Sequence, residues 1–166
     1  NPSAYLVYKP HPDVISGNRI GKVDRSITDQ YCDLVLEDSS ITDCLDIADE
    51  VHTMTSLVGF EGLLRQKKVV CYGIPFYANW GLTEDRHTVD RRTRRLMLDE
   101  LVAATLILYP RYMNWETGAF TTPEFAIETL RKQIDALGGK PINKISWLYR
   151  QVRKMKHFYK GVFAKP

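Results

Sequence analysis

The stretch from Glu50 to Tyr72, EVHTMTSLVGFEGLLRQKKVVCY, constrains the fold more than any other part of the chain. Val51 to Met54 carries β-type residues over the length of a short buried strand. Leu57 to Arg65 then places Leu57, Phe60, Leu63 and Leu64 on one face of a helix. Lys67 and Lys68 lead into Val69 to Tyr72, a further apolar run of strand length. Strand, helix and strand in this order make a βαβ unit, whose crossover requires parallel strands. Such sheets are covered on both faces, which fits strands that are continuously apolar rather than alternating.

Between the strand and the helix stand Thr55 and Ser56. A hydroxyl pair at such a turn can cap the free N–H groups of the first helical turn. It can also set donors where a helix dipole favours an anion, at the carboxyl end of a strand. Taken alone, the pair satisfies a plain cap as well as a phosphate site.

The flanking sequence extends the α/β pattern. Tyr5 to Tyr8 reads as a first strand, running into Lys9-Pro10-His11-Pro12. The two prolines bias Lys9 and His11 to extended backbone and hold the histidine stiffly. Asp13 to Ile27 reads as an irregular loop, with Arg19, Lys22 and Arg25 either solvated or facing an anion. Cys32 to Glu37 is a second strand, and Ser40 caps a helix from Ile41 to Ala48 with Asp43 at the capping-box position. Gly73 to Gly81 is an aromatic loop that either stacks on a base or packs on the body. Asp85 to Arg95 holds five arginines, a solvated face or an anion-binding one. Asp99 starts a helix to Leu108, and Met113 to Thr121 is a loop. Thr122 and Pro123 start another helix, which runs to Leu137 and stops at Gly138-Gly139.

The 166 residues suffice for one domain with a real core, and no apolar run approaches the roughly 18 residues of a membrane span. Cys32, Cys44 and Cys71 are odd in number and form no CxxC, which suits reduced thiols in a cytosolic protein. After Asp135 the chain carries eight cations and no anion. Against a total of +3, that difference leaves −5 for everything before it. Ile145, Leu148, Val152, Met155, Tyr159 and Val162 form an apolar stripe among these cations. A basic amphipathic helix over 140–166 is expected, docking on the domain, on a missing half, or on an anionic surface. The chain opens at Asn1 without an initiator Met, so a fragment with a missing amino-terminal half is expected. No Walker loop, GxGxxG, GxSxG or HExxH is present.

YKPHPDV, ADEVHTMTSLVGFEGLLRQKKVVCYGIPFYANWGLT and LDELVAATLILYPRY, in this order, resemble the capsule polysaccharide biosynthesis family of β-Kdo glycosyltransferases. The resemblance covers about Tyr5 to Glu128. It implies a GT-B-type enzyme with two Rossmann-like halves, of which this is the carboxyl-terminal, donor-binding half. On this reading 1–139 is a Rossmann-like nucleotide-sugar domain and 140–166 is an added carboxyl-terminal helix. The implied donor is CMP-Kdo, and the implied acceptor a glycolipid or polysaccharide at the cytoplasmic face of a bacterial inner membrane, with no nucleic-acid partner. The nucleotide site is similar to that of bacterial sialyltransferases with His-Pro and Ser/Thr-Ser motifs, which fall here on His11-Pro12 and Thr55-Ser56. His11 would stabilise the leaving phosphate, assisted by Lys9, Thr55 and Ser56. Glu61 would accept hydrogen bonds from ribose hydroxyls, the alternative being an ion pair with a neighbouring base. No cofactor or metal is expected, since Asp13 and Asp24 are isolated and no Asp-x-Asp pair is poised for one. The resemblance implies that the catalytic acid or base lies on the amino-terminal half; Asp13, Glu50 and Asp85 lie near strand ends here, and none has a matching motif for that role. The residues leave two other classes open: a UDP-sugar GT-B transferase or epimerase, and a non-catalytic nucleotide- or lipid-binding module.

Overall fold

A computed structural model describes residues 3–17, 20–115 and 117–136. Arg19, the Gly138-Gly139 stop, the boundary at 139/140 and the basic carboxyl-terminal helix lie outside the described residues. The chain forms two compact units that part between Leu101 and Val102.

In the first unit, β1 (Val7–Tyr8) pairs in parallel with β2 (Leu34–Val35). A second parallel sheet has the order β3 (Glu50–Thr53), β4 (Lys68–Cys71), β5 (Glu84–Asp85). The protein is therefore α/β, with parallel sheets flanked by helices, as the βαβ pattern requires. Val51 faces Val69 and Thr53 faces Cys71 across the β3–β4 ladder. Leu45, Val51, Phe60, Leu63, Val69, Val70, Cys71, Tyr77 and Ala78 make the core around this ladder.

The crossover helix, α4 (Val58–Leu64), turns a different face inward from the one its hydropathy suggests. Phe60 and Leu63 are buried, but Leu57 and Leu64 are exposed, and Gly59 and Gly62 complete the buried face. The reason is close approach. A Cβ on Gly62 would stand 3.2 Å from Val51 Cγ2 and 3.3 Å from Val69 Cγ2, so hydrogen at this position lets the helix settle on both strands without either valine giving way.

Two helices take the ends of the stretch expected as an irregular loop from Asp13 to Ile27, and its described residues between them are irregular. Helix α1 (Pro12–Ile15) has proline at its first position, where the missing N–H has no intrahelical partner to lose. Helix α2 (Arg25–Tyr31) is capped by Asp24, which accepts from Ser26 N at 2.8 Å. Helix α3 (Ile41–Ile47) begins at Ser40 as expected, the hydroxyl accepting from Thr42 N. Helix α5 (Leu98–Val102) does not take Asp99 as its cap. Glu100 reaches back to Met97 N at 2.8 Å, the carboxylate half of a capping box.

In the second unit a π-helical segment spans Ala103–Leu108. The loop expected from Met113 to Thr121 instead contains a hairpin, β6 (Tyr112–Met113) against β7 (Phe120–Thr121). Helix α6 (Pro123–Ala136) starts where Thr122 and Pro123 indicate, with Thr122 Oγ1 accepting from Phe125 N. Among the described residues no helix is long and apolar enough to cross a membrane.

Candidate functional site

Thr55, Ser56 and Glu61 come together on one turn and helix. Strand β3 ends at Thr53, whose hydroxyl oxygen accepts from Ser56 N at 3.2 Å and so closes the turn. Ser56 Oγ in turn accepts from Val58 N at 3.3 Å, satisfying one of the free donors of α4. Having accepted there, the hydroxyl still has its own proton to give. The capping expectation thus holds for Ser56. The exposed Thr55 makes no side-chain hydrogen bond among the described residues, which leaves its hydroxyl available.

Glu61 lies one turn further along α4. Its Oε2 is buried and has no hydrogen-bond partner among the described residues. The obvious basic neighbour is committed elsewhere: Arg65 Nε donates to Asp46 at 3.2 Å, and Arg65 Nη1 donates to the main-chain oxygen of Glu61. A buried carboxylate oxygen without a donor is a place where a ligand hydroxyl would be welcome.

Lys9 and His11 lie at the carboxyl end of β1, in the other parallel sheet. His11 is exposed and sits in extended backbone, φ −66° and ψ 137°, as the following proline demands. Its Nδ1 accepts from Asp13 N at 3.1 Å and caps α1. Asp13 Oδ2 is 3.8 Å from the same nitrogen, but a nitrogen accepting an N–H carries no proton for it. With Nδ1 accepting, Nε2 is the nitrogen left to donate, and no hydrogen-bond partner for it occurs among the described residues. Lys9 Nζ donates to the main-chain oxygens of Leu36 and Glu37, at 3.3 and 3.5 Å, and ties β1 to the end of β2. No hydrogen bond or ion pair among the described residues joins Lys9 or His11 to Thr55, Ser56 or Glu61.

The aromatic loop packs onto the body, and it does so against the Ser56 turn. Gly73 lies so near that a Cβ there would be 2.7 Å from the Met54 main-chain oxygen and 2.9 Å from Thr55 Cγ2. Tyr77 is fully buried, edge-on to Phe76 at 5.1 Å, and its hydroxyl donates to Ser56 O at 2.5 Å. Burial, with the nearby Cys71, holds this phenol well above the ordinary tyrosine range. Gly59 makes room for the phenol, whose oxygen would lie inside van der Waals contact of a Cβ at that position. Arg92 fixes the loop from outside, donating to Pro75 O at 2.7 Å and Ala78 O at 2.8 Å and covering the Trp80 ring. Sequence reasoning left Tyr77, Thr53 and Gly59 out of the site. Their signal was only spacing: a glycine three residues after Ser56, and a tyrosine in a glycine-bounded loop.

Asp85 and Glu50, the other carboxylates near strand ends, have structural partners. Asp85 accepts from Asn79 N and Thr83 Oγ1. The hydrogen bond from Lys68 holds Glu50 below the usual carboxylate range, within an exposed row that continues through Glu84 to Arg86. Cys32, Cys44 and Cys71 are free thiols. Among the described residues no three histidine, cysteine or carboxylate side chains gather where they would hold one metal ion.

A family profile described as "Capsule polysaccharide biosynthesis protein" matches residues 1–112. Capsule polysaccharide modification protein LipA of Neisseria meningitidis serogroup B (strain ATCC BAA-335 / MC58) is 48% identical, over 92% of this chain and 23% of that protein. Lipopolysaccharide-processing protein LpsZ of Rhizobium meliloti is 46% identical, over 78% of this chain and 30% of that protein. Among solved structures, a Thermosulfurimonas dismutans KpsC titled beta Kdo 2,7 transferase superposes with a TM-score of 0.68 at 46% identity, covering 78% of this chain and 40% of that one. Another solved structure, titled Thermosulfurimonas dismutans KpsC, beta Kdo 2,4 transferase, superposes at 0.66 and 41% identity with the same coverage. The chain thus spans about a quarter of the length of the curated relatives it matches.

Proposed function

The chain belongs to the capsule polysaccharide biosynthesis protein family, and from that premise we propose that it is the donor-binding portion of a retaining β-Kdo glycosyltransferase of GT-B type. It takes Kdo from CMP-Kdo and serves transfer to a glycolipid or polysaccharide acceptor. The β-Kdo transfer named for the two solved neighbours supports this reading. The observation that carries it is Glu61, with a buried carboxylate oxygen that has no partner among the described residues, one turn beyond a hydroxyl-bearing turn at a strand end.

In the proposed step, the bond between the sugar's anomeric carbon and the phosphate oxygen breaks, and negative charge grows on the CMP phosphate. Thr55 and Ser56 supply hydroxyl donors to that charge, and His11 adds its Nε2–H. Donors already held in place stabilise a developing anion without reorganising at the moment of reaction. Glu61 accepts from the ribose hydroxyls and fixes the nucleoside. Lys9 contributes a positive charge while bracing the His11 strand. No residue of this chain is assigned the role of catalytic acid or base. The eight cations after Asp135 are proposed to hold the protein to anionic lipid at the cytoplasmic face of the inner membrane.

Calorimetric titration with CMP, and with UDP as control, tests the reading. CMP binding tighter than UDP binding is expected. Preference for UDP, or equal affinity for both, overturns the CMP-Kdo assignment.

A further inference from the structure

We propose that Tyr77 is a positioning residue for the Thr55-Ser56 turn, acting through the main-chain oxygen of Ser56. The inference rests on the reading of that turn as the phosphate site. Ser56 O accepts two bonds, from the Tyr77 hydroxyl at 2.5 Å and from Gly59 N at 3.2 Å. The same residue donates its N–H to Thr53 Oγ1, and its hydroxyl oxygen accepts from Val58 N. Both main-chain polar groups of Ser56 are therefore hydrogen-bonded, and among the described residues the one such bond from outside the β3–α4 segment is the phenol's. A turn residue satisfied only by its own neighbours can rotate with them. A bond from a separate element removes that freedom.

The phenol is itself immobile. Its ring is fully buried between Phe76 and Phe60, and Gly59 is the notch that admits it. The loop that bears it is held by the Arg92 bonds to Pro75 O and Ala78 O. Asn79 adds three more, donating to His87 O, receiving from Val89 N and giving its own N–H to Asp85. These bonds hold the loop in place from Pro75 to Asn79. Such anchoring fits a part whose placement is read out at the Ser56 hydroxyl.

Tyr77→Phe keeps the ring and removes the bond. The full chain is titrated with CMP and with cytidine, which lacks the phosphate. Wild type is expected to favour CMP. In Tyr77→Phe, CMP affinity is expected to fall about five- to tenfold, the effect of one hydrogen bond, while cytidine affinity stays unchanged. Thr53→Val, which loosens the same turn from the other side, should give the same pattern. A merely structural role would lower both ligands together or neither. Equal loss for CMP and cytidine, or no loss in either variant, overturns the Tyr77 inference alone. A wild type that binds CMP no better than cytidine overturns the phosphate-site reading and this inference with it.

Discussion

A buried carboxylate oxygen with no donor among the described residues costs free energy that a folded chain retains only for a reason, so Glu61 carries the first prediction. Glu61→Gln removes the charge and keeps the shape. Its unfolding free energy should fall by no more than about 0.5 kcal/mol, because no native hydrogen bond to Oε2 is lost. Its affinity for CMP should fall about tenfold, because hydrogen bonds to a charged acceptor are the stronger ones. A drop of about 2 kcal/mol in thermal or denaturant unfolding, with CMP affinity intact, would make Glu61 structural. His11 gives a second test at this scale. His11→Ala loses the cap of a one-turn helix, worth about 0.5–1 kcal/mol, and should leave the chain folded. CMP affinity should nevertheless weaken, and an unchanged dissociation constant would remove His11 from the site.

At the scale of elements, the β3–α4–β4 unit depends on glycines as much as on its apolar residues. Gly59→Ala forces a methyl group into the Tyr77 phenol, which is too buried to move aside, and should destabilise by about 1–3 kcal/mol. Gly62→Ala meets Val51 and Val69 at 3.2–3.3 Å, where a small shift suffices, and should cost less. Denaturant midpoints of the two variants compare them directly. Cys71, at the end of β4, gives the unit a pH signature. Burial, with the Asp85 charge, pushes its thiol up to about 11 from 9.0. The unfolded chain then releases this proton before the folded one does, so stability is complete below pH 9 and is lost as pH rises toward 11. Cys71→Ala should flatten that alkaline loss, by up to about 2 kcal/mol at its high-pH end, as read from unfolding curves across the range.

These same elements mark what the sequence revealed. Val69–Cys71 was legible because a strand buried on both faces leaves an unbroken apolar run, whereas β3 buries only Val51 and leaves Glu50 and His52 exposed. Ser40 and Thr122 were legible because their caps precede clear helices. The buried face of α4 was not, because a glycine adds nothing to a hydrophobic stripe while permitting the closest approach on it. Helix α2 escaped because Arg25–Tyr31 is mostly polar and buries only Thr28, leaving Asp24 as its one strong signal. The hairpin of β6 and β7 escaped because two-residue strands are too short for a period to register. Thr55, Ser56 and Glu61 were singled out from a turn and a spacing. Tyr77 reaches the turn from 21 residues away, which no local pattern encodes.

Over the whole molecule, two kinds of anion recognition are proposed, a nucleotide at the strand ends and lipid at the basic carboxyl-terminal segment. Vesicles containing anionic lipid should retain the chain at low salt and release it at high salt, since exposed charges are screened within about 8 Å at physiological ionic strength. Retention that ignores salt, or no retention, would remove the charge-driven role of those cations. The central claim, that the Thr55–Glu61 segment is the nucleotide site, is tested most directly by adding CMP to the isotopically labelled chain and following its backbone amide resonances. The account predicts saturable shifts concentrated at Thr55 to Glu61 and at His11 to Asp13. Shifts centred on any other part of the chain, with these amides unmoved at saturation, would contradict it.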